Sequence, residues 1–524
     1  MTTEHGAAPV QHSTVGRILE RTARRSPSEV ALTFGERRWS YAELDRGVGR
    51  VAAALLGLAL APGDRVAAYG KNSDAYLLLY LGCARAGLIH VPVNFNATGE
   101  ELSYLLSQSG AAAVFSDPAL SGNVDAVADG LASVIRGTLR DGPDRVDVLH
   151  WATDAGATPH EEQGVRDDDL VQLLYTSGTT SRPKGAMLTH RALVHEYGSS
   201  IAALNLSADD VPLHALPLYH SAQMHVFLIP GLAVGATNHL IEAPDLDDIL
   251  ERIRRDRVTS LFFPPTVWVG LANHPRFQTA DLGSLRSAFY GASIMPVPVL
   301  QKLQRRLPDV GFYNCFGQSE IGPLATVLGP EEHAERPGSV GRAVLFVETR
   351  VVDGEMNDVA PGELGEVVYR SPQLCSGYWG KPDETAAAFT GGWFHSGDLV
   401  RIDEQGYMFV VDRIKDVVNT GGVLVASREV EEALYLHPAV AEVAVIGVPH
   451  ERWIEAIAAV VVLKDDTEPE ELIAFAKQQL APHKVPKAVH VVEELPKNAS
   501  GKLLKRELRA RFGASVSAIG SSPR

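Results

Sequence analysis

Hydroxyl residues, two glycines and a lysine are concentrated in one short stretch of the chain. The stretch runs from Leu174 to His190 and has the sequence LYTSGTTSRPKGAMLTH. A loop of this composition presents backbone N–H groups and hydroxyls to a phosphate, while Lys184 supplies a cation. It is not the Walker motif, because Lys184 precedes the second glycine, Gly185, and no Ser or Thr follows it. The stretch therefore predicts phosphate binding of another kind, and a polar loop without a ligand is the alternative.

A lone carboxylate, Glu320, ends the segment Tyr313–Glu320, whose sequence is YNCFGQSE. Mg²⁺ usually binds one or two protein carboxylates together with phosphate oxygens, so Glu320 is a candidate metal ligand. A capping carboxylate at the start of a helix is the alternative. The sequence GQSEIG is one residue too long for a nucleophile elbow, so Ser319 is not predicted to be a hydrolase nucleophile.

Three further polar residues lie nearer the C-terminus. Asp398 ends the sequence WFHSGD and could accept hydrogen bonds from both ribose hydroxyls of a nucleotide, which Arg413 could also contact. Lys502 follows a glycine turn in the sequence LPKNASGK. Taken alone, Gly-Asp is ordinary turn chemistry and a single lysine is usually solvated.

Length and charge limit the classes of protein. The chain has 524 residues and a formal net charge of −16. This length exceeds what one hydrophobic core supports, so two or more domains are expected. The acidic balance argues against non-specific nucleic-acid binding, whereas local donors can still hold an anionic ligand.

The chain has three cysteines: Cys83, Cys315 and Cys375. They are too few and too scattered for a disulfide framework or a zinc cluster, so reduced thiols are expected. No signal peptide or peroxisomal tripeptide is recognisable, and a cytoplasmic protein is expected. The most apolar long stretch, Ala75 to Val93, contains Arg85 and His90. It predicts a buried helix followed by a strand rather than a membrane span.

Strand patterns alternate with amphipathic helix patterns through most of the chain. Strands are predicted at residues 64–70, 258–263 and 285–290, and helices from residue 75 and over 298–307, with Ser73 as a helix cap. This alternation predicts an α/β fold with a large, layered N-terminal domain of mostly parallel sheets. Ligands of such sheets bind at the carboxyl ends of the strands.

A small α+β domain is predicted after a charged break at residues 412–416. Its pattern is a helix at 427–436, strands at 441–448 and 456–463, and a helix at 468–480. The predicted domains are therefore residues 1–413 and 414–524.

The order of the motifs resembles that of the adenylate-forming enzymes, which include acyl-CoA synthetases, adenylation domains of peptide synthetases, and luciferases. The similarity covers residues 15–510 and joins the phosphate loop to Leu-Pro-Leu-Tyr-His220, Tyr-Gly-Ala292, Phe-Gly-Gln-Ser-Glu320, Gly-Tyr378, Gly-Asp398, Asp-Arg413-x-Lys-Asp416 and Gly-Lys502. It implies that a carboxylic acid reacts with ATP to give an acyl-AMP, from which coenzyme A takes the acyl group. It also implies Mg²⁺ as cofactor and a mobile C-terminal domain.

The resemblance implies a role for each matching residue. The phosphate loop would hold the β- and γ-phosphates through Thr176, Ser177, Gly178, Thr179, Thr180 and Lys184. The adenine slot would be lined by Gly291, Ala292 and Phe316. Ser319, where most relatives have Thr, would touch the α-phosphate, and Glu320 would bind Mg²⁺.

The resemblance also assigns residues to the ribose, the acid and the domain movement. Asp398 and Arg413 would hold the ribose, and His220 is similar to the residue that guards the carboxylate entrance. Lys415 would be the hinge, and Lys502 the lysine of the adenylation step.

One segment departs from the family's pattern. Val423-Leu424 stand where relatives typically carry Glu-Asn or Phe-Gln, and Ser427 stands where they carry Pro. Leu424 cannot make the polar contact near the nucleotide that Asn or Gln makes there. The departure concerns the detailed conformation of the adenylation state and leaves the overall reaction unchanged.

The acid is predicted from the segment after the phosphate loop. Residues 216–225, LPLYHSAQMH, include no acid that would pair with a substrate amine, so a carboxylic acid without an α-amine is favoured. Apolar residues nearby either contact a fatty or aromatic acyl group or are simply core: Val226, Phe227, Leu228, Ile229 and Leu232.

We predict a ligase that joins a medium- or long-chain fatty acid to coenzyme A. The alternatives are an aryl-CoA ligase of the coumarate type, a ligase that loads a carrier protein, and a non-catalytic acyl or nucleotide sensor. The presence of Lys184, Glu320, Asp398 and Lys502 argues against the sensor.

Overall fold

A computed structural model describes residues 12–128, 134–142, 146–176, 182–293, 295–450, 453–497 and 503–513. The chain divides into two compact units. The large unit comprises Met1–Glu348 and Arg370–Phe394, and the small unit comprises Thr349–Tyr369 and His395–Arg524.

The large unit contains two sheets and the helices that cover them. Its strands are β1 (Val30–Phe34), β2 (Arg37–Ser40), β3 (Arg65–Tyr69), β4 (Ile89–Val93), β5 (Ala111–Ser116), β6 (Ile135–Thr138), β7 (Leu170–Thr176), β8 (Lys184–Thr189), β9 (Pro212–His214), β10 (Asn238–Leu240), β11 (Ser260–Phe263), β12 (Ser287–Gly291), β13 (Gly311–Phe316), β14 (Thr326–Leu328) and β15 (Arg342–Ala343). Its α-helices are α1 (Gly16–Arg25), α2 (Tyr41–Gly57), α3 (Asp74–Ala86), α4 (Gly99–Ser109), α5 (Ser121–Ala128), α6 (Val148–Thr153), α7 (His190–Leu204), α8 (Ile229–Val234), α9 (Leu246–Arg255), α10 (Pro265–Asn273), α11 (Val297–Arg306) and α12 (Pro382–Ala388). A π-helical segment, Ala222–Leu228, precedes α8, and Ser319–Ile321 forms one of several short 3₁₀ turns.

Both sheets of the large unit are mostly parallel, as the alternation of strand and helix patterns predicts. One has the order β15-β14-β13-β12-β11-β9-β10-β1-β2, and the other has the order β6-β5-β3-β4-β7-β8. The antiparallel pairs are β13–β14, β14–β15 and β1–β2 in the first sheet and β7–β8 in the second. Buried helices and parallel strands of this kind form the layered α/β architecture.

The apolar stretch between Ala75 and Val93 is interior structure. The Ser73 hydroxyl accepts a hydrogen bond from the Tyr76 amide and so caps α3, as predicted. Every residue of α3 and of the following strand β4 is buried. Within the described residues, no helix is long and apolar enough to cross a membrane.

The small unit contains two further sheets. Its strands are β16 (Glu348–Val352), β17 (Leu364–Arg370), β18 (Phe394–Ile402), β19 (Met408–Arg413), β20 (Val418–Thr420), β21 (Val423–Val425), β22 (Val440–His450), β23 (Ile454–Leu463) and β24 (Ala488–Val491). Its α-helices are α13 (Ser427–Tyr435), α14 (Pro469–Gln479) and α15 (Lys505–Phe512). Strands β16 to β19 form one sheet in sequence order, and the other has the order β21-β20-β23-β22 with β24 beside β23.

The β22–β23 hairpin has apolar side chains on both faces. Val443 and Val445 pack in a core with Leu434 of α13 and Leu472 of α14. Ala444, Ile446 and Val448 face the other way, into a cluster that includes Leu508 of α15. Because alternate residues of a strand point to opposite faces, this continuous apolar run requires helices on both sides of the sheet.

The boundary predicted at residue 413 lies inside the small unit. Strands β18 and β19, which precede that boundary, are tied to α13, because the Ser427 amide and hydroxyl donate hydrogen bonds of 2.6 and 2.8 Å to Asp412 Oδ2. The compact units therefore divide before residue 413. Domains of 1–413 and 414–524 remain a prediction about which segment moves.

Candidate active site

A two-stranded hairpin carries the phosphate loop in the large unit. Strands β7 and β8 pair antiparallel, and Thr176 faces Lys184 at their ends. The predicted phosphate ligands Ser177, Gly178, Thr179 and Thr180 lie outside the described residues. The pairing fixes the two ends of the loop beside each other, so Thr176 and Lys184 are presented at one end of a buried sheet.

Glu320 lies next to this loop. Strand β13 ends at Phe316, and the chain then turns through Gly317, whose φ is +154°. A Cβ at Gly317 would lie 2.0 Å from the Pro323 carbonyl oxygen, so the turn requires glycine. The turn directs the Glu320 side chain, only 8% exposed, towards the hairpin.

Two hydroxyls hold the Glu320 carboxylate in place. Thr176 Oγ1 and Tyr378 Oη each donate a hydrogen bond of 3.1 Å to Glu320 Oε1. The Tyr378 ring also faces the Lys184 ammonium, which lies 4.9 Å from the ring centroid. One tyrosine thus fixes the predicted metal ligand and the predicted phosphate-binding lysine within a single cluster. The sequence indicated Gly-Tyr378 only as one motif of the family's order, and this role of the tyrosine was not predicted.

The donor set at Glu320 fits a magnesium ion that is shared with phosphates. Among the described residues, no group of three or more His, Cys, Asp or Glu side chains could enclose a metal ion. Mg²⁺ commonly takes one carboxylate from the protein and its other ligands from substrate phosphates and water. A single buried carboxylate beside a phosphate loop supplies that arrangement, and it does not suit a zinc site.

The predicted adenine-slot residues lie at two neighbouring strand ends. Strands β12 and β13 are parallel, and Gly291 at the end of β12 pairs with Cys315. A Cβ on Gly291 would approach the Cys315 carbonyl oxygen to 2.3 Å. Ala292 has a φ of +64°, and Phe316 ends β13. The structure therefore brings Gly291, Ala292 and Phe316 together, and their contact with a base remains a prediction.

Ser319 links the Glu320 turn to the segment that follows His220. Its hydroxyl lies 3.0 Å from that of Ser221. Burial lowers the pKa of His220 to about 4, so its imidazole is neutral at pH 7. Its Nε2 atom is buried and has no hydrogen-bond partner within the described structure. A neutral imidazole whose Nε2 has no partner among the described residues suits the predicted contact with a carboxylate.

The apolar residues predicted beside the acyl group pack into the interior. Their side chains are all buried: Val226, Phe227, Leu228, Ile229 and Leu232. The Phe227 ring stacks on Phe262 with centroids 4.4 Å apart and lies 5.1 Å from Phe289. These contacts agree with the core alternative for Phe227. They leave the predicted contact with a fatty or aromatic acyl group without direct structural support.

In the small unit, the two predicted ribose ligands contact each other. Asp398 and Arg413 are paired residues of the antiparallel strands β18 and β19. Arg413 Nε donates to Asp398 Oδ1 at 2.6 Å and Nη2 donates to Oδ2 at 3.3 Å. Asp398 is nearly buried, and its amide donates to Ser396 Oγ at 3.0 Å. This charge-assisted pair holds Asp398 in one orientation in the middle of β18, opposite the last residue of β19.

The predicted hinge residue lies in a turn bonded to α15. The Asp416 amide donates to the Arg413 carbonyl at 2.9 Å, which places Lys415 inside the turn. Arg509 of α15 donates to the Lys415 carbonyl at 3.4 Å and to Asp416 Oδ1 at 2.6 Å. The predicted adenylation lysine, Lys502, lies outside the described residues.

The sequence of the chain matches two family models in the expected order. Residues 19–379 match the AMP-binding enzyme model, and residues 429–502 match the model of the AMP-binding enzyme C-terminal domain. The chain belongs to the AMP-binding enzyme family. It is an AMP-forming acid–thiol ligase of the acyl-CoA synthetase type, for which ATP and coenzyme A are co-substrates.

Relatives of this ligase are similar over nearly the whole chain. A feruloyl-CoA synthase from Amycolatopsis sp is 39% identical over 94% of this chain and 98% of its own length. An indoleacetate–CoA ligase from Aromatoleum aromaticum is 34% identical over 94% of this chain and 96% of its own length. The crystal structure of ATP-bound MatB from Rhodopseudomonas palustris superimposes with a TM-score of 0.87, at 32% identity, over 96% of this chain and 99% of that one.

The ligase uses Ser427 in a way that proline at the same position cannot. Both the amide and the hydroxyl of Ser427 donate to Asp412, and proline has neither donor. Lys505 Nζ donates to Ser427 Oγ at 2.6 Å and pairs with Glu431 at 2.7 Å. The neighbouring Leu424 is 63% exposed in the β20–β21 hairpin and, as the sequence implies, offers no polar side chain.

Proposed function

We propose that the ligase activates an aromatic carboxylic acid with MgATP and transfers the aryl-acyl group to coenzyme A. The observation that carries this proposal is the 39% identity to a feruloyl-CoA synthase over 94% of the chain. The 34% identity to an indoleacetate–CoA ligase supports the same class of acid. Core packing of Phe227 weakens the argument for an acyl contact at residues 226–232, whether fatty or aromatic, so the choice between the two classes rests on the relatives.

Adenylate formation requires a carboxylate to approach a negatively charged phosphate. In the proposed site, Thr176 and Lys184 bind the triphosphate from the two ends of the phosphate loop, and the charge of Lys184 lowers the repulsion; their pairing across β7 and β8 supports this role. Glu320 would hold Mg²⁺, which when bound supplies positive charge to the phosphate oxygens. The hydrogen bonds from Thr176 and Tyr378 keep the Glu320 carboxylate aimed at that position.

Three residues complete the proposed arrangement of substrates. His220, neutral at pH 7, would donate a hydrogen bond to the carboxylate of the acid through its uncommitted Nε2. Asp398 and Arg413 would bind the ribose hydroxyls, with Arg413 also holding Asp398 in place. Each role is local to its unit and is testable by substitution.

The second step needs a different arrangement of the small unit. We propose that Lys502 neutralises the reacting groups during adenylation and that rotation about Lys415 then presents coenzyme A. In thioester formation, the thiol sulfur bonds to the acyl carbon, the acyl–phosphate oxygen bond breaks, and AMP leaves. The thiol proton passes to solvent or to a basic group. Such hinged exchange lets one small domain serve two reactions.

A panel of acids tests the proposed substrate class. We expect kcat/KM for thioester formation with an arylpropenoic or arylacetic acid to exceed that with octanoic or hexadecanoic acid by about tenfold or more. Higher kcat/KM for the fatty acids would overturn the aromatic assignment. Pyrophosphate exchange without any coenzyme A ester would favour a carrier protein as acceptor, and no exchange with any acid would contradict the ligase function.

A further inference from the structure

A carboxyl group is buried behind the Glu320 turn, away from the predicted substrate contacts. Glu196 lies on α7 and is 0% exposed. Burial raises its pKa well above the ordinary value of a glutamic acid, and no described residue forms an ion pair with it. A group of this kind is costly to bury, so its hydrogen bonds indicate what it stabilises.

Glu196 contacts the backbone just beyond Glu320. Its Oε1 accepts hydrogen bonds from the Leu324 amide at 3.2 Å and from Ser200 Oγ at 3.1 Å. A Cβ at Gly322 would lie only 3.1 Å from Glu196 Oε2, so the turn passes directly over the carboxyl group. The side chain thereby supports one end of the 3₁₀ turn that carries Glu320.

Gln373 completes the contact from another part of the large unit. Its Nε2 lies 2.5 Å from Glu196 Oε2 and donates to the carbonyls of Ile321 at 3.2 Å and Leu324 at 3.1 Å. Its Oε1 accepts from Ser199 Oγ at 2.6 Å, which holds the amide against α7. The Glu196–Gln373 pair therefore binds the backbone of residues 321–324 at two kinds of group. Glu196 accepts from the Leu324 amide, and Gln373 donates to the carbonyls of Ile321 and Leu324.

The same segment also holds the start of the turn. Cys375, two residues after Gln373, donates its amide to the Glu320 carbonyl at 2.8 Å. Tyr378, slightly further along, donates to the Glu320 side chain. Residues 373–378 and Glu196 thus fix both the backbone and the carboxylate of Glu320, and they are joined to each other by the Glu196–Gln373 contact.

We propose that Glu196 and Gln373 are positioning residues for Glu320, which hold the 320–324 turn so that the Glu320 carboxylate faces Thr176 and Tyr378. The inference rests on the proposed role of Glu320 in binding MgATP. Glu196 and Gln373 are both fully buried, so neither is assigned a substrate contact. Loss of either is expected to let the turn relax and to displace the carboxylate, so that affinity for MgATP falls more than affinity for the acid.

The test compares Glu196→Ala and Gln373→Ala with the conservative Glu196→Gln. We expect each alanine variant to raise the KM for MgATP by about tenfold or more, while the KM for the acid changes much less. In Glu196→Gln the amide oxygen still accepts from the Leu324 amide and Ser200, but the amide nitrogen faces Gln373 Nε2, a second donor, so the variant should recover only part of the MgATP affinity. The double alanine variant should be no worse than the more impaired single one, because the two residues act as a unit.

Leu193→Ala provides the matched control for lost stability. Leu193 is buried on the same helix, but its apolar side chain makes no hydrogen bond to the turn. The Leu193→Ala substitution should lower the melting temperature of the protein while leaving the KM for MgATP near that of the wild type. An unchanged KM for MgATP in both alanine variants would overturn the inference, as would a rise in the KM for the acid as large as the rise in the KM for MgATP.

Calorimetric titration of acid-free protein with MgATP separates this inference from the proposed function. Wild-type protein that binds MgATP but shows no acid-dependent exchange would contradict the ligase function alone. The alanine variants would still have to bind MgATP about tenfold more weakly for the positioning role to stand. Normal exchange by the wild type together with unchanged MgATP binding by the variants would contradict the positioning role alone.

Discussion

Lys502→Ala is expected to lower the rate of adenylate formation by about 10²–10³-fold, while thioester formation from supplied acyl-AMP stays within a few-fold of the wild-type rate. The first step brings a carboxylate against a negatively charged α-phosphate, so removal of a neutralising ammonium raises its barrier strongly. The second step starts from the acyl-AMP, after the proposed rotation about Lys415. Acid-dependent pyrophosphate exchange measures the first step, and chromatography of the coenzyme A ester measures the second.

Lys497→Ala is the matched control for this substitution. Lys497 lies in the same segment of the small unit and pairs with Glu442 at 2.5 Å, a contact that has no role in the proposed chemistry. Its replacement should leave both steps close to wild type, since surface ion pairs contribute little. Equal loss of both steps in Lys502→Ala would contradict the assignment of Lys502 to adenylation alone.

Glu320→Gln is expected to lower kcat/KM for MgATP by about 10²-fold or more, which corresponds to about 2.7 kcal/mol. The amide oxygen of glutamine can still accept the hydrogen bonds from Thr176 and Tyr378, so the local fold should persist. What disappears is the negative charge that would bind Mg²⁺. Steady-state kinetics at several Mg²⁺ concentrations would show a shift of the activation curve to higher metal concentration.

Glu100→Gln serves as the control for loss of one acidic charge. Glu100 is exposed in the first turn of α4 and distant from the described site in sequence. We expect its kinetics and Mg²⁺ dependence to match those of the wild type. If Glu320→Gln kept the wild-type Mg²⁺ dependence and kcat/KM, the assignment of Glu320 to the metal would be wrong.

Local features of the fold followed from the sequence because they depend on neighbouring residues. Ser73 caps α3 as predicted. The ends of β3, β11 and α11 lie within about two residues of the predicted ends, which is the usual uncertainty of element ends. The mostly parallel sheets also follow from the sequence. When strands and helices alternate along the chain, each helix connects two parallel strands and covers a face of their sheet. In the small unit, the predicted helices and strands between residues 427 and 480 correspond to α13, β22, β23 and α14, whereas β20, β21, β24 and α15 were not predicted.

Long-range contacts of the site were visible only in part. The motif order implied that Thr176 and Glu320 act on one nucleotide. In the structure, Thr176 Oγ1 lies 3.1 Å from Glu320 Oε1. Nothing in the local sequence marks Glu196 as buried, because its partners Leu324 and Gln373 are brought to it only by the tertiary fold. The inclusion of β18 and β19 in the small unit has the same origin, since it reflects tertiary contacts such as that of Ser427 with Asp412.

The class of acid substrate was the feature that the sequence predicted least well. An apolar run such as residues 226–232 has the same composition whether it contacts an acyl group or fills a core, and only packing distinguishes the two. Phe227 is buried, with its ring stacked on Phe262 and tilted against Phe289, which are contacts of a core residue. The proposed aromatic class of acid therefore rests on the similarity to a feruloyl-CoA synthase and an indoleacetate–CoA ligase, and the acid panel tests it.

Transfer of oxygen from the acid to AMP tests adenylate formation most directly. An acid labelled with ¹⁸O in both carboxylate oxygens is incubated with the ligase, MgATP and coenzyme A, and the products are analysed by mass spectrometry. Attack of the carboxylate on the α-phosphorus forms a new phosphorus–oxygen bond, and that oxygen leaves with AMP when the thiol attacks the acyl carbon. One ¹⁸O atom in each AMP and none in pyrophosphate is the predicted result. Unlabelled AMP, or label in pyrophosphate or phosphate, would contradict an acyl-AMP intermediate.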